Sequence, residues 1–422
     1  MNLQSKGITT CDNARRRQAP CYIDANSAAS RPSPWVRGPI WDGVWILNAF
    51  WLVPLVLWLA HRYSDQESSP LDVLYLGLTA LFWIGHRLCS TWLAYCTEAY
   101  RPLLRNEPVR FVVFPLLVAA GCFAVFLPAD AALPWTREER IVGMAILDYA
   151  FVTYHFAAQH FGALSLYRAR AERAGCARTR GLDRMFALGV GGVLVFFADI
   201  LAGSVAYQDL WIGRWLIPAW FASEQEEIRE AAVLVLLVAT ALMLVAEARA
   251  PRRSLPRVLY ILGLAAMVAI ALQPRSLFPF IVIWTSQHWI LAMGLASRTP
   301  NGEPLPASGT LRRVFHVLNT RPWAILLVLV ISSVLLLPFF EVEANRQGGT
   351  YYGDRIFGAV AAGLRSSSWI PALVAVGFAT GFVHYILDRS VYRMSDPRVR
   401  SAACGLLDRP CKLVGPRVCP TK

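Results

Sequence analysis

Apolar runs of about twenty residues recur along the chain, with short polar or basic breaks between them. Ten such runs stand out: 43–60, 71–96, 110–127, 140–168, 184–206, 229–248, 257–273, 277–296, 322–340 and 369–388. Each is long enough to cross a hydrocarbon core roughly 30 Å thick as a helix. Inside lipid only helices and closed barrels satisfy the backbone, and runs of this length without alternation are helices. The pattern predicts an all-α, polytopic transmembrane helical bundle of about ten spans. Residues 1–40 are polar, with Ser, Pro and Arg, and read as a disordered cytoplasmic arm. Residues 41–390 form the transmembrane domain and 391–422 a basic cytoplasmic tail. The connections are too short for a separate soluble domain. The longest are 169–183, 207–228, 297–321 (with the turn-rich TPNGEPLPASG) and 341–368, an outer loop containing EVEANRQGGTYYGDR.

Composition agrees with that pattern. The chain is 56% hydrophobic and 16% charged, where a soluble chain would be about a quarter charged. The first apolar run is long enough to remain as an anchor rather than a cleaved signal. A net charge of +13 could point to nucleic acid, but its distribution points elsewhere. An even number of spans puts both tails on one side. Of the 41 Lys and Arg, 31 fall on the side of the tails, 9 on the other and one, Arg87, inside the second span. That asymmetry predicts cytoplasmic termini and assigns the basic excess to topology and to contact with the lipid bilayer, with no nucleic-acid partner. The nine cysteines form no CxxC pair, and Cys11, Cys21, Cys404, Cys411 and Cys419 fall in the cytoplasmic tails, where thiols stay reduced.

The candidate chemistry lies in polar residues within the apolar runs. An ionisable side chain in a span costs on the order of 2.5–3.5 kcal/mol on insertion scales, so it persists where it faces protein, water or a ligand. His61 lies just outside span one and His316 in a loop. The other five of seven histidines are inside spans: His86 in span two, His155 and His160 in span four, His288 in span eight and His384 in span ten. All sit on even-numbered spans, at mid-depth or in the cytoplasmic half.

Helical geometry groups some of them with oxygen ligands. Each helical residue turns about 100°, so Asp148, His155 and Gln159 share one stripe of span four. His160 points about 140° away from His155, so either a π-bulge between them brings both to one centre or two centres exist. On span ten His384 and Asp388 are four residues apart, on one face. His-x-x-x-Asp is a bidentate arrangement, and imidazole with carboxylate suits iron or manganese with open positions. Span eight contributes the pair Gln287-His288. The expected metal ligands are therefore His86, His155, His160, His288, His384 and Asp388, with Asp148, Gln159 and Gln287 orienting the imidazoles from behind. Arg87 is expected to snorkel or to pair with a carboxylate such as Glu98, and Asp199 of span five to serve packing or capping.

The scatter of His86, the His155/His160 pair, His288 and His384-x-x-x-Asp388 over several spans resembles the histidine-box polytopic membrane metalloproteins. These are the integral fatty-acid desaturases and hydroxylases and the Brp/Blh carotenoid-cleaving type. The final H-Y-x-x-D helix is also similar to that of multi-span bacterial proteins. The HxxxH and HxxHH boxes of desaturases are absent, and five intramembrane histidines are fewer than a desaturase centre uses, so metal number and substrate do not carry over.

The function expected from these residues is a non-haem iron oxidoreductase, mono- or dinuclear, that hydroxylates, desaturates or oxygenates a lipid-soluble small molecule, with an electron donor on the cytoplasmic side. Three other readings stay open. One is a haem-binding or quinone-linked electron-transfer protein, since imidazoles on facing spans can hold haem. Another is a proton-coupled transporter relaying through Asp148, His155 and Asp388. The last is a structural membrane protein whose histidines bond neighbouring helices.

Overall fold

The computed structural model describes residues 33–63, 70–171, 177–201, 224–251, 253–273, 277–299, 309–344, 356–365 and 368–403. Most of the N-terminal arm and of the C-terminal tail, the tail cysteines and most of the 341–368 loop lie outside the described residues, as does the side chain of Asp199. Among the described residues the fold is all-α, as the sequence predicts, without a strand. Eight helices are long and apolar enough to cross a membrane. A bent pair, α1 (Pro39–Trp45) and α2 (Ala49–Arg62), meets the same test when taken together, and a shorter apolar helix, α9 (Leu255–Ala271), completes the set. These correspond one for one to the ten apolar runs. The eight are α3 (Pro70–Cys96), α5 (Val109–Phe126), α6 (Arg137–Ala171), α7 (177–201), α8 (Gln225–Ala248), α10 (Leu277–Arg298), α12 (Pro322–Ala344) and α14 (Ile370–Val391). Short helices α4 (Arg101–Asn106), α11 (Thr310–Thr320), α13 (Ala359–Arg365) and α15 (Pro397–Ala402) lie in the connections.

Span one is not a single helix. It bends by 48° between α1 and α2. Asn48, fully buried at the bend, donates to the carbonyls of Trp45 and of Gln287 on α10, each at 3.1 Å. The amide side chain thus satisfies a carbonyl freed by the break and pins the break to α10. Before it, the buried Asp42 carboxylate accepts the amides of Val36 and Arg37 at 2.8 and 3.0 Å, while Arg170 of α6 donates to the carbonyls of Trp35 and Val36. Residues 33–38 are thereby folded onto the end of α6. In the 297–321 connection, α11 exposes Leu311, Val314 and Val317 beside Arg312 and Arg313. Its Asn319 accepts from the Trp92 indole at 2.7 Å and donates to the Cys96 carbonyl at 2.8 Å, which fastens it to α3.

The helices pack as two blocks that share α10. On one side α14 lies against α5, α12 and α3, and α12 also lies against α3. On the other, α6 packs on α7, and α8 on α9, which in turn contacts α2, α6 and α10. A buried ion network joins the second block at one end. Asp183 of α7, fully buried, accepts from Arg168 of α6 at 2.8 Å and from Arg257 of α9. Arg257 also pairs with Glu247 of α8, which accepts the Ser254 amide at 2.6 Å. Each buried charge is paired, which is the condition for its being there at all.

Among the described residues three spans carry a π-helical turn: Thr79–Trp83 in α3, Val109–Val113 in α5 and Gly189–Leu194 in α7. The turn in α3 positions the site. It adds a residue to the helix and so rotates the next turn of α3, placing His86 inward. Just past it, the Ile84 amide bonds Ser333 Oγ of α12 at 3.2 Å. A β-carbon on Gly85 would stand 2.8 Å from the Leu329 carbonyl oxygen of α12. Only glycine permits that crossing, and the crossing fixes the depth of His86.

Candidate metal centre

Four of the five intramembrane imidazoles meet between α3, α6, α10 and α14. The ring centres of His86 and His384 are 4.9 Å apart, those of His86 and His288 5.1 Å, and that of His155 is 4.8 Å from both His288 and His384. Nε2 of His155 and Nε2 of His288 are 3.2 Å apart. Asp388 completes the group, with Oδ2 3.6 Å from His155 Nε2 and Oδ1 3.5 Å from His384 Nδ1. Ligand atoms of His86, His288 and His384 all lie within 4.8 Å of one another, and so do those of His155, His384 and Asp388. The two triads share His384. All five residues are buried.

The hydrogen bonds behind the rings determine which nitrogens face the middle. Nδ1 of His288 donates to Gln159 Oε1 at 2.6 Å, and Nδ1 of His86 donates to the Trp83 carbonyl. A carbonyl oxygen can only accept, so both rings carry their proton on Nδ1 and hold a lone pair on Nε2. His384 places Nδ1 3.3 Å from Ser90 Oγ, and its Nε2, buried, has no protein partner. Asp388 Oδ1 is likewise without a hydrogen-bond partner. His86 and His288 thus each keep an acceptor nitrogen in a group that includes His384, and a buried polar atom left unmade costs about 1–3 kcal/mol. The surroundings are apolar and tight. Phe156 stacks on His288 with ring centres 3.7 Å apart, Trp289 stacks on His86 at 5.8 Å, and Cys89 Sγ meets Met293 Sδ at 3.6 Å.

His160, the fifth imidazole, stands apart. α6 is regular between His155 and His160, with no π-bulge, so the 140° between them is kept and the two rings serve different places. Nδ1 of His160 is 2.8 Å from the Tyr260 hydroxyl of α9. A β-carbon on Gly191, in the π turn of α7, would lie 2.9 Å from His160 Cδ2, so α7 approaches by presenting bare backbone to this ring. His160 is therefore not among the grouped ligands, contrary to the sequence expectation.

The three expected orienting residues divide in the same way. Gln159 holds His288. Gln287 turns its side chain about 100° away from its neighbour His288 and contacts the Tyr260 hydroxyl instead. Asp148 accepts from Tyr385 Oη at 3.0 Å and lies with the Arg87 guanidinium over Gly381. The Tyr385 ring, 4.9 Å from His155, links it to the centre. Arg87 donates to the Gly377 carbonyl at 3.0 Å and stacks 5.0 Å over the Trp83 ring, while Glu98 engages Arg101 and Arg312. Sequence reasoning missed Ser90, Tyr385 and Tyr260. Ser90 lies four residues after His86, on the same face, and that spacing was a usable signal.

No protein-family model, no curated protein and no solved structure matches the chain. The functional reading therefore rests on the geometry of this site.

Proposed function

We propose that the chain is an integral membrane metalloprotein in which His86, His155, His288, His384 and Asp388 hold one or two transition-metal ions, and that it is an oxidoreductase acting on a lipid-soluble small molecule. The observation that carries the reading is that ligand atoms of His86, His288 and His384, and of His155, His384 and Asp388, lie within 4.8 Å of one another in two buried triads sharing His384. The donor set fits a metal. Two nitrogens bound at about 2.0–2.1 Å to one tetrahedral ion lie about 3.3 Å apart, close to the 3.2 Å between His155 and His288. Gln159 and the Trp83 carbonyl would hold the Nδ1 protons and so keep Nε2 as the ligating atom.

Four imidazoles and one carboxylate suit iron. Bound there, iron would supply one-electron chemistry and oxygen activation. The ring spacings favour bare ions over haem, because His86 and His155 occupy the sides where a flat macrocycle between His288 and His384 would have to lie. The stacked Phe156 and the apolar shell keep water from the centre. The residues' own work is to present lone pairs, to hold Asp388 for charge balance and to exclude solvent. The basic-residue asymmetry supports cytoplasmic termini and delivery of electrons from the cytoplasmic side.

A relay reading has one observation in its favour: His155 Nε2 lies between His288 Nε2 and Asp388 Oδ2, as a proton wire would require. Metal analysis and an absorption spectrum of anaerobically purified protein separate these readings. Bound iron without a Soret band supports the proposal. A Soret band supports haem, and metal-free protein supports the relay.

A further inference from the structure

A second polar group lies on another face of α10, at the α1–α2 bend. His160, Tyr260 and Gln287 are the polar lining of a small cleft, and Phe50, Leu264 and Met267 are among its apolar lining. Phe50 is 46% exposed and makes its outer rim on the lipid-facing surface. The space in the whole cleft is about 10 Å³, about what one water molecule or one hydroxyl group fills. Its lining holds no Lys, Arg, Asp or Glu among the described residues, so a charged group has no counter-ion there.

The polar lining has one unmet requirement. Gln287 is 2% exposed, and its Oε1 accepts no hydrogen bond. Its amide contacts the Tyr260 hydroxyl, which is itself tied to His160 Nδ1 at 2.8 Å. The position of Gln287 is fixed from the other side as well, since its backbone carbonyl accepts from Asn48 at 3.1 Å. What is missing is a donor. An alcohol can donate to Gln287 Oε1 and accept from Tyr260 at once. A ketone or an ether can only accept and leaves Oε1 unsatisfied.

We propose that this cleft binds the hydroxyl end of a neutral, long-chain or polycyclic lipid alcohol, whose apolar body lies past Phe50 in the bilayer. The site is distinct from the His384 centre and does not require a metal to be bound there. The α1–α2 bend is what opens it, because Asn48 holds the break against α10 and leaves the first turn of α2 facing α9.

The test uses the full chain in detergent, with and without chelator treatment, and a photoreactive long-chain alcohol carrying a diazirine near its hydroxyl. Labelling is expected on residues 46–50 or 263–267. Hexadecanol is expected to compete at about tenfold lower concentration than hexadecyl methyl ether, the difference one hydrogen bond makes. Gln287→Met keeps the shape and removes the acceptor, so it should abolish the preference for alcohol. Gln287→Leu also removes the acceptor and stands in if Gln287→Met does not fold, whereas Tyr260→Phe removes the donor that alcohol and ether share and should weaken both alike. Equal competition by alcohol and ether, labelling elsewhere, or a preference that survives loss of the Gln287 acceptor would overturn the proposal and leave the cleft as a site for one water. Because chelated protein is expected to label as well as untreated protein, failure here is separable from failure of the metal reading.

Discussion

His155 Nε2 and His288 Nε2 face each other across 3.2 Å in the interior of the bundle. They come from helices whose residues are 133 positions apart in the chain. Two imidazoles at that spacing share either a proton or a cation. The proton on His288 is already placed on Nδ1, by Gln159, so that ring offers only an acceptor to the centre. Gln159 is thus a positioning residue, and Gln159→Leu should lower metal affinity about 10- to 100-fold while leaving the protein folded. Competition with a chelator of known affinity measures it. Unchanged affinity would show that Gln159 does not position the His288 ring for a metal.

Acidification gives a second test. A protonated imidazole cannot ligate, and an ordinary imidazole titrates near pH 6.5. Because a bound metal opposes protonation of its ligands, the retained metal should fall only as pH is lowered below the imidazole range, and it should return on neutralisation. Dialysis at a series of pH values, with elemental analysis and circular dichroism of each sample, reads it. Metal lost at low pH that does not return to protein of unchanged helicity on neutralisation would contradict ligation by these imidazoles.

Tyr385 separates contact from support. Its hydroxyl donates to Asp148 and its ring lines the centre beside His155. Tyr385→Phe keeps the ring, so metal content should stay as in the wild type, and stability should fall by about 1 kcal/mol for the lost hydrogen bond. Loss of metal in this variant would place the hydroxyl in the centre.

The ion network at the end of α6 to α9 should act on stability alone. Asp183 is fully buried between Arg168 and Arg257. Asp183→Ala would remove the buried carboxylate that Arg168 and Arg257 share, at a cost of about 3–5 kcal/mol. Thermal or denaturant unfolding in detergent should show that loss, with the metal content of the surviving folded fraction unchanged.

Much of this molecule was legible in its sequence because lipid imposes one rule on every span. The ten apolar runs correspond to real helices, and the stripe holding His155 and Gln159 comes from the 100° turn alone. The same turn already placed His160 away from His155 and Gln287 away from His288. A common centre for all five imidazoles required a π-bulge between His155 and His160, and α6 has none there. Other features had no local signal. The π turn at Thr79–Trp83 rotates His86 into the centre, and a π turn depends on what packs against it, here Ser333 and the Leu329 carbonyl of α12. The α1–α2 bend depends on a bond from Asn48 to a carbonyl 239 residues away. Tyr385 next to His384 reads from sequence as an ordinary membrane tyrosine, and only the packing of α6 on α14 gives it Asp148 as a partner.

His384 belongs to both ligand triads and carries the unpartnered nitrogen, so its removal is the most direct trial. The measurement is the metal content per chain of detergent-purified wild type and His384→Gln, with helicity by circular dichroism as the control for folding. A centre built on His384 predicts about one or two equivalents of metal in the wild type and a loss of at least half in the variant at equal helicity. A metal-free wild type that takes up none on reconstitution, or a variant that retains the full content, would contradict it.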